Sequence, residues 1–338
     1  MRNIRAIRLD NTRRNRRFEK LCAKTQKQLK KILINEFNQS GYDIVVDDGF
    51  IYKKGSIPIL LLAHMDTVHV HVPTEFYYKE GKVSSPTGIG GDDRCGIYMV
   101  LEILKKYDCH VLFTEDEESG GIGANLFTEH ELCKELKGKF NFAIELDRTG
   151  EKDAVFYDCD NPEFTDFITK EYWVEDWGSY TDISDVCPAL GIAGVNLSCG
   201  YYSAHTAKEY VILEEMENNI VEACNLIART TEDDVYEYIE SRYSSYYKWK
   251  RPYTTWLDED YDDDEYDDYY YNFNKHKSDY KMYHICYWDS SVTGEKVAEV
   301  YARSTEEAVG IFLMDHRDMS YSDIFDVYSK YAKYSKAY

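Results

Sequence analysis

Between residues 57 and 68 the chain reads IPILLLAHMDTV, and its character changes sharply once. Ile57, Ile59, Leu60, Leu61 and Leu62, interrupted only by Pro58, predict a strand buried on both faces, as in a parallel sheet. Ala63-His64-Met65-Asp66-Thr67 follows at the strand's carboxyl end, the edge at which open α/β sheets bind their ligands.

The pattern around this strand is alternating. Upstream, Phe18, Leu21, Cys22, Leu29, Ile32, Leu33 and Phe37 share one helical stripe over residues 18–37, with lysines opposite. Residues 43–53 predict a hairpin turning at Asp48-Gly49, and a second hairpin turns around Glu80-Gly81. A glycine-rich loop from Pro86 to Arg94 opens onto a helix running from Cys95 to about Tyr107. It matches neither G-x-x-x-x-G-K-[ST] nor G-x-G-x-x-G, so its glycines read as room for the backbone to bring Asp92 close to a partner. Strands follow at 110–114, 140–146, 154–157 and 194–198. Helices lie between and after them, near 161–173, after 180 until Pro188 breaks it, and at 212–230. This order predicts an α/β fold: a mostly parallel central sheet with helices on both faces.

Composition divides the chain further. Residues 1–17 are a basic leader, with eight Arg or Lys between 2 and 20, read as a flexible basic arm rather than an organellar targeting peptide. Residues 18–230 carry the α/β pattern. Residues 231–280 are an acidic, Tyr-rich linker whose stretch 258–268 holds nine carboxylates and no base. From 281 to 338, two strand-like segments, a helix TEEAVGIFLMDHR with an N-cap at Ser304-Thr305, and DIFDVYSKYAKY predict a small α+β unit. That unit is the candidate surface for a protein partner. A net charge of −22 argues against nucleic acid as the main partner. No apolar run reaches membrane-spanning length. Nine cysteines with no C-x-x-C pair fit a reduced, cytoplasmic protein.

Chemistry gathers at the predicted strand ends. His64 and Asp66, two apart in an extended segment, point the same way, so Asp66 can hold one ring nitrogen and leave the other for a metal. Asp92 lies in the glycine-rich loop, Glu115-Asp116-Glu117-Glu118 follows the strand at 110–114, Asp147 follows that at 140–146, and His205 follows that at 194–198. Converged, these groups hold two imidazoles and at least three carboxylates, too many negative charges to stay ionised without counter-charge. Two divalent ions at about 3.5–4 Å, bridged by one carboxylate, supply it. The mixed N/O set suits zinc, with cobalt or manganese as substitutes. Glu117 is then free as a general base. His69, His71, His110, His130, His284 and His316 are read as ordinary, though His69 or His71 could line a pocket mouth. Cys95, Cys187 and Cys199 are read as inert buried thiols, and Arg94 as either a substrate anchor or a partner of Asp93.

HMDT, GIGGDDRCG, TEDEESGG, ELDR and GYYSAHTAKEYV resemble, in order, the five metal-site motifs of the dizinc exopeptidase superfamily, the last being similar to peptidase T. TDISDVCPALGIAGVNL is similar to that group's T-D loop and the strand after it. The resemblance covers roughly residues 18–230. It implies one metal on Asp92, Glu118 and His205 and another on His64, Asp92 and Asp147, with Asp92 bridging. It implies Glu117 as catalytic base, Asp66 as the carboxylate behind the first histidine, and a cis peptide at Asp92-Asp93.

The chain departs from peptidase T in one respect. That enzyme and its carboxypeptidase and deacetylase relatives insert a lid domain between the fourth ligand and the last histidine, where this chain has 57 residues. That is enough for the strand, helix and T-D loop alone. The layout is similar to the single-domain aminopeptidase branches. The expected function is therefore an aminopeptidase-type hydrolase acting on peptides, with an amidase or deacylase on N-acyl small molecules and a non-catalytic binding protein as alternatives.

Overall fold

The long helical stripe at the start of the chain folds as two helices. A computed structural model describes residues 11–178, 180–241, 281–288, 295–302, 309 and 324–329. In it, α1 (Asn11–Cys22) and α2 (Gln26–Gln39) are separated at Thr25. The break has a local cause. Thr25 Oγ1 accepts from Gln28 N, and Gln28 Oε1 accepts from Thr25 N, a capping box that satisfies the first amides of a new helix.

Both expected hairpins form: β1 (Ile44–Asp47) with β2 (Phe50–Lys53), and β4 (Tyr77–Lys79) with β5 (Lys82–Ser84). In the second, Glu80 and Gly81 both have positive φ, 54° and 80°, as the tightest two-residue turn requires. Between the hairpins lies β3 (Ile57–His64), whose residues from 59 onward are buried. The chain continues through α3 (Gly91–Ile103), β6 (Cys109–Thr114), α4 (Ile122–Glu129), α5 (Glu131–Leu136), β7 (Phe142–Arg148) and β8 (Asp153–Val155). It then forms α6 (Pro162–Thr169), β9 (Val174–Asp176), α7 (Ile183–Leu190), β10 (Gly194–Ser198), β11 (Tyr201–Tyr202), β12 (Tyr210–Ile212) and α8 (Leu213–Arg229).

Eight strands form one sheet in the order β1-β2-β6-β3-β7-β10-β8-β9. Its centre, β6, β3, β7 and β10, is parallel, and antiparallel pairings lie to either side. Alternate residues of β3 enter different cores. Ile59, Leu61 and Ala63 pack with Phe18, Leu33, Ile97, Phe164 and Ala223. Leu60 and Leu62 pack with Ala124, Phe127, Cys133, Val186 and Leu190. Thus α1, α2, α3, α6 and α8 cover one face, and α4, α5 and α7 the other. This is the α/β class expected from the apolar run, which only a strand covered on both faces can bury.

Three details differ from expectation. Pro188 does not break its helix but lies inside α7; the end comes at Gly191, whose left-handed φ of 72° lets its N–H close the last turn on Cys187 O. Strand β9 was not expected. Nor was the pair β11 and β12, which joins β5 and β4 in a second sheet of order β11-β12-β5-β4. Strands of two or three residues are too short to show a period.

The described residues between Asp147 and His205 form the end of β7, the elements from β8 to β11 and their connections. Beyond residue 230 the chain keeps to this unit. Tyr236 N donates to Asn141 O (2.9 Å) and Ala193 N to Tyr236 O (2.8 Å), and the Tyr236 ring lies 5.2 Å from that of Phe164 and 5.3 Å from that of Phe167. Residues 231–241, expected in the acidic linker of 231–280, thus pack on this unit, and the remainder, 242–280, lies outside the described residues. The C-terminal unit contains β13 (Lys281–Trp288) between β14 (Glu295–Ala302) and β15 (Ile324–Ser329), all antiparallel. Among the described residues it has three strands where two were expected. The helix expected in TEEAVGIFLMDHR lies, Val309 apart, outside the described residues. No helix among those described is long and apolar enough to cross a membrane. Eight cysteines are buried and unpaired.

Candidate metal centre

Parallel β3, β6 and β7 are neighbours, so their carboxyl ends lie side by side, His64 opposite Thr114. The start of α3, where Asp92 and Asp93 depart from helical geometry, brings Asp92 to these ends, and the turn between β11 and β12 brings His205. His64 is fully buried, whereas the His205 side chain is 54% exposed and marks the open side.

Asp92 stands between the two imidazoles. Its Oδ1 lies 3.0 Å from His64 Nε2 and its Oδ2 lies 3.0 Å from His205 Nε2. Asp147 Oδ1 is 3.3 Å from His64 Nε2, and Glu118 Oε1 is 3.1 Å from His205 Nε2. Behind this row, Asp66 Oδ1 is 3.1 Å from His64 Nδ1. The same carboxylate accepts from Glu117 N and Glu118 N, both at 3.0 Å, so Asp66 orients the imidazole and the acidic loop together. The peptide bond between Asp92 and Asp93 is cis. All seven residues expected at the site are therefore in one place, with Glu117 held through its backbone and within the electrostatic reach of Asp147, Asp182 and Asp92.

The residues present fit a divalent metal. Glu118 Oε1 and Asp147 Oδ1 are buried, yet neither has a hydrogen-bond partner. Each has an imidazole nitrogen nearby without hydrogen-bond alignment. Donor atoms around zinc lie about 2.0–2.2 Å from the metal, so tetrahedral neighbours are about 3.3 Å apart, close to the spacings found here. Donor atoms of His64, Asp92 and Glu118 gather within 4.8 Å of one another, as do those of His64, Asp93 and Asp147. Asp93, however, is occupied. Its Oδ1 accepts from Gly96 N (2.7 Å) and its Oδ2 from His64 N (3.3 Å).

Charge at the site is strongly perturbed. Burial pushes the Glu117 carboxyl up to about 9, and Asp147, Asp182 and Asp92 add to the rise. Burial, with Asp92, brings Asp147 to about 7. A hydrogen bond to Asp92 and the adjacent carboxylate of Glu118 raise His205 to about 11. Burial opposes charge on His64, but Asp147, Asp66 and Asp92 outweigh it and lift the ring well above its usual value. Protons thus occupy positions where carboxylates and imidazoles converge on the same points, the arrangement that a divalent cation matches.

Several contributors were not singled out by the sequence. Thr181 Oγ1 donates to Asp147 Oδ2 (3.0 Å), Tyr201 Oη donates to Asp147 O (2.8 Å), and Asn196 Oδ1 accepts from Asp147 N (2.9 Å). These three lie in segments that carry the resemblance, without a role assigned there. Glu209, inside GYYSAHTAKEYV but likewise given no role there, accepts from Gly90 N (2.7 Å), Asp92 N (3.1 Å) and His69 Nε2 (2.8 Å). Arg94 neither faces outward nor pairs with Asp93. It is buried and donates to Asp66 O (3.0 Å) and Lys24 O (3.2 Å), a strut between the site and the start of α2. His110 bonds Tyr52 and His130 caps α5, as ordinary histidines.

No protein-family model and no curated protein matches the chain. Solved structures do. Aminopeptidase PepT from Bacillus cereus superposes with a TM-score of 0.52 at 15% identity, over 65% of this chain and 98% of its own. A tripeptidase from Staphylococcus aureus gives 0.52 at 16%, over 66% and 100%. An aminopeptidase from the archaeon Desulfurococcus kamchatkensis gives 0.50 at 18%, over 66% and 96%. At such identities it is the fold that is shared, and this chain has the fold of these solved structures.

Proposed function

We propose that this chain is a dimetal hydrolase that removes the N-terminal residue from peptides. The observation that carries the reading is Asp92, with one oxygen toward each of two imidazoles and an unpartnered buried carboxylate oxygen beside each pair. His64, Asp92 and Asp147 would hold one divalent ion, and Asp92, Glu118 and His205 the other, zinc first and cobalt or manganese as substitutes. When bound, such ions polarise a scissile carbonyl and make water a nucleophile near neutral pH.

The chain's own groups do the rest. Asp66 orients His64 and fixes the Glu117-Glu118 loop. Glu117 takes a proton from the attacking water and returns it to the leaving amine. Bound cations would bring its raised pKa down toward the working range. Peptide substrates are supported by the solved neighbours, two described as aminopeptidases and one as a tripeptidase. With the segment from Asp147 to His205 spent on the sheet, no lid insertion interrupts it, which favours short peptides with a free amine. Eight buried, unpaired cysteines favour the cytoplasm.

The test is a screen of aminoacyl, dipeptide, tripeptide and N-acyl substrates on protein loaded with zinc or cobalt. Turnover of free-amine substrates is expected. Preference for N-blocked substrates makes it a deacylase, and no turnover of any class with two metals bound makes it a binding protein.

A further inference from the structure

Glu209 is fully buried, four residues beyond His205, and uses both carboxylate oxygens. Oε2 accepts from Gly90 N at 2.7 Å and from His69 Nε2 at 2.8 Å, and Oε1 accepts from Asp92 N at 3.1 Å. No contact with the metal-facing atoms is involved. Glu209 grips the backbone on either side of Gly91, and the second of those amides belongs to Asp92 itself.

The glycine-rich loop is shaped around this pair. At Gly88, with φ of 85°, an added Cβ would lie 2.1 Å from His69 Cε1. At Gly91 it would lie 2.9 Å from Tyr201 Cβ and 3.0 Å from Val211 Cγ2, with Glu209 Oε1 next at 3.3 Å. So two of the loop's glycines leave room for His69 and Glu209. A fully buried carboxylate is costly unless its lone pairs are met, and here backbone amides and one imidazole meet them.

We infer that Glu209 is a positioning residue for the bridging carboxylate, holding Asp92 through its backbone so that one oxygen faces each imidazole, with His69 closing the other side of the grip. The inference rests on the dimetal reading above. A carboxylate whose direction is set this way binds two cations without first paying to order its own loop. Groups that orient metal ligands in this fashion typically change metal affinity about 10–100-fold when removed.

The experiment measures zinc affinity and stoichiometry on the full chain by competition with a chromophoric chelator, alongside the thermal midpoint of the metal-free protein. Glu209→Gln leaves only one oxygen acceptor where two oxygens now accept, so zinc affinity is expected to fall about 10–100-fold. Glu209→Asp keeps the charge and should recover part of the loss, and His69→Gln should lose less than Glu209→Gln. Lys53→Met serves as control. It removes a fully buried charge that pairs with Asp108, away from the site, and should lower the midpoint with zinc affinity unchanged. If Glu209→Gln and His69→Gln lower the midpoint but bind two zinc ions as tightly as the parent, the role is structural and the inference is wrong. If Glu209→Gln does not fold, His69→Gln and Glu209→Asp decide it by the same criterion. If the parent chain itself binds no zinc, it is the dimetal reading that falls.

Discussion

Gln26 and Asp116 exchange two hydrogen bonds across 90 positions. Gln26 Nε2 donates to Asp116 Oδ1 at 2.9 Å, and Asp116 N donates to Gln26 Oε1 at 3.1 Å. The first residue of α2 thereby clamps the residue just before Glu117, at a point where the backbone has a positive φ of 57°. Lys30, one turn further on, reaches Glu115 at 2.5 Å. The acidic loop is thus held from the N-terminal helices on one side and by Asp66 on the other.

Gln26→Ala should therefore affect chemistry more than folding. Two partly buried hydrogen bonds are worth about 1–3 kcal/mol together. Misplacing a catalytic group by a fraction of an ångström costs about tenfold or more in rate. Turnover should fall by about that factor, with both metals retained and the thermal midpoint lowered by only a few degrees. Unchanged turnover in a destabilised variant would show that the clamp serves stability alone.

The neighbouring glutamates should separate by metal content. Glu118→Ala removes the buried, unpartnered oxygen proposed as a ligand and should lose metal, with activity lost as a consequence. Glu117→Gln keeps shape and removes proton transfer, so the rate should fall about 10²–10⁴-fold with two metals bound. Turnover and elemental analysis on the same preparations check both, and a metal loss from Glu117→Gln but not Glu118→Ala would exchange the two roles.

Metal removal should make stability depend on pH in a defined direction. In the metal-free protein, burial with neighbouring carboxylates puts Glu117 at about 9 and Asp147 at about 7, both above their unfolded values of about 4. Groups with raised folded values favour folding at low pH, and that advantage is lost as pH rises through the folded value. His205, raised from 6.5 to about 11, runs the same way. Asp66 and Asp92, both lowered, act only in the acid range below about 4. Chelated protein should thus lose thermal midpoint steadily from about pH 5 to pH 9, and zinc should restore most at the alkaline end, where its ligands shed protons readily. Calorimetry with and without chelator reads this directly; a midpoint flat or rising with pH in the chelated protein contradicts it.

Truncation should locate the end of the first unit. A chain ending after residue 241 keeps Tyr236 among Phe142, Phe164 and Phe167, and keeps the bonds from Asn141 and Asn161 to Thr231 O and Glu237 O. It should fold with a midpoint close to the full chain's. A chain ending at 230 loses all of these and should be destabilised by at least about 3 kcal/mol, the scale of removing one large aromatic from a core. Equal midpoints for the two would show that residues 231–241 contribute nothing.

The sequence by itself determined the parts of this protein that are written locally. An apolar run from Ile57 to Leu62, interrupted only by Pro58, reads as a strand covered on both sides, and the pairing of His64 with Asp66 follows from it because side chains two apart in extended chain face the same way. The motifs lie at strand ends or in the segments after them, so the strand reading put their residues on one edge of the sheet, while their convergence stayed a condition until the fold brought them together. Even the missed break at Thr25 was legible, since Thr25 and Gln28 have capping-box spacing.

What the tertiary structure alone decided are contacts between residues far apart in sequence. Glu209 reaches Gly90 and His69 across 119 and 140 positions, Gln26 reaches Asp116 across 90, and Arg94 joins Lys24 to Asp66. None of these has a period, a cap or a turn to announce it. Whether a buried carboxylate such as Glu209 becomes a strut or a ligand depends on which amides the fold brings to it, and that choice is made by packing: two sheets and eight helices must close around the same few ångströms before its partners exist.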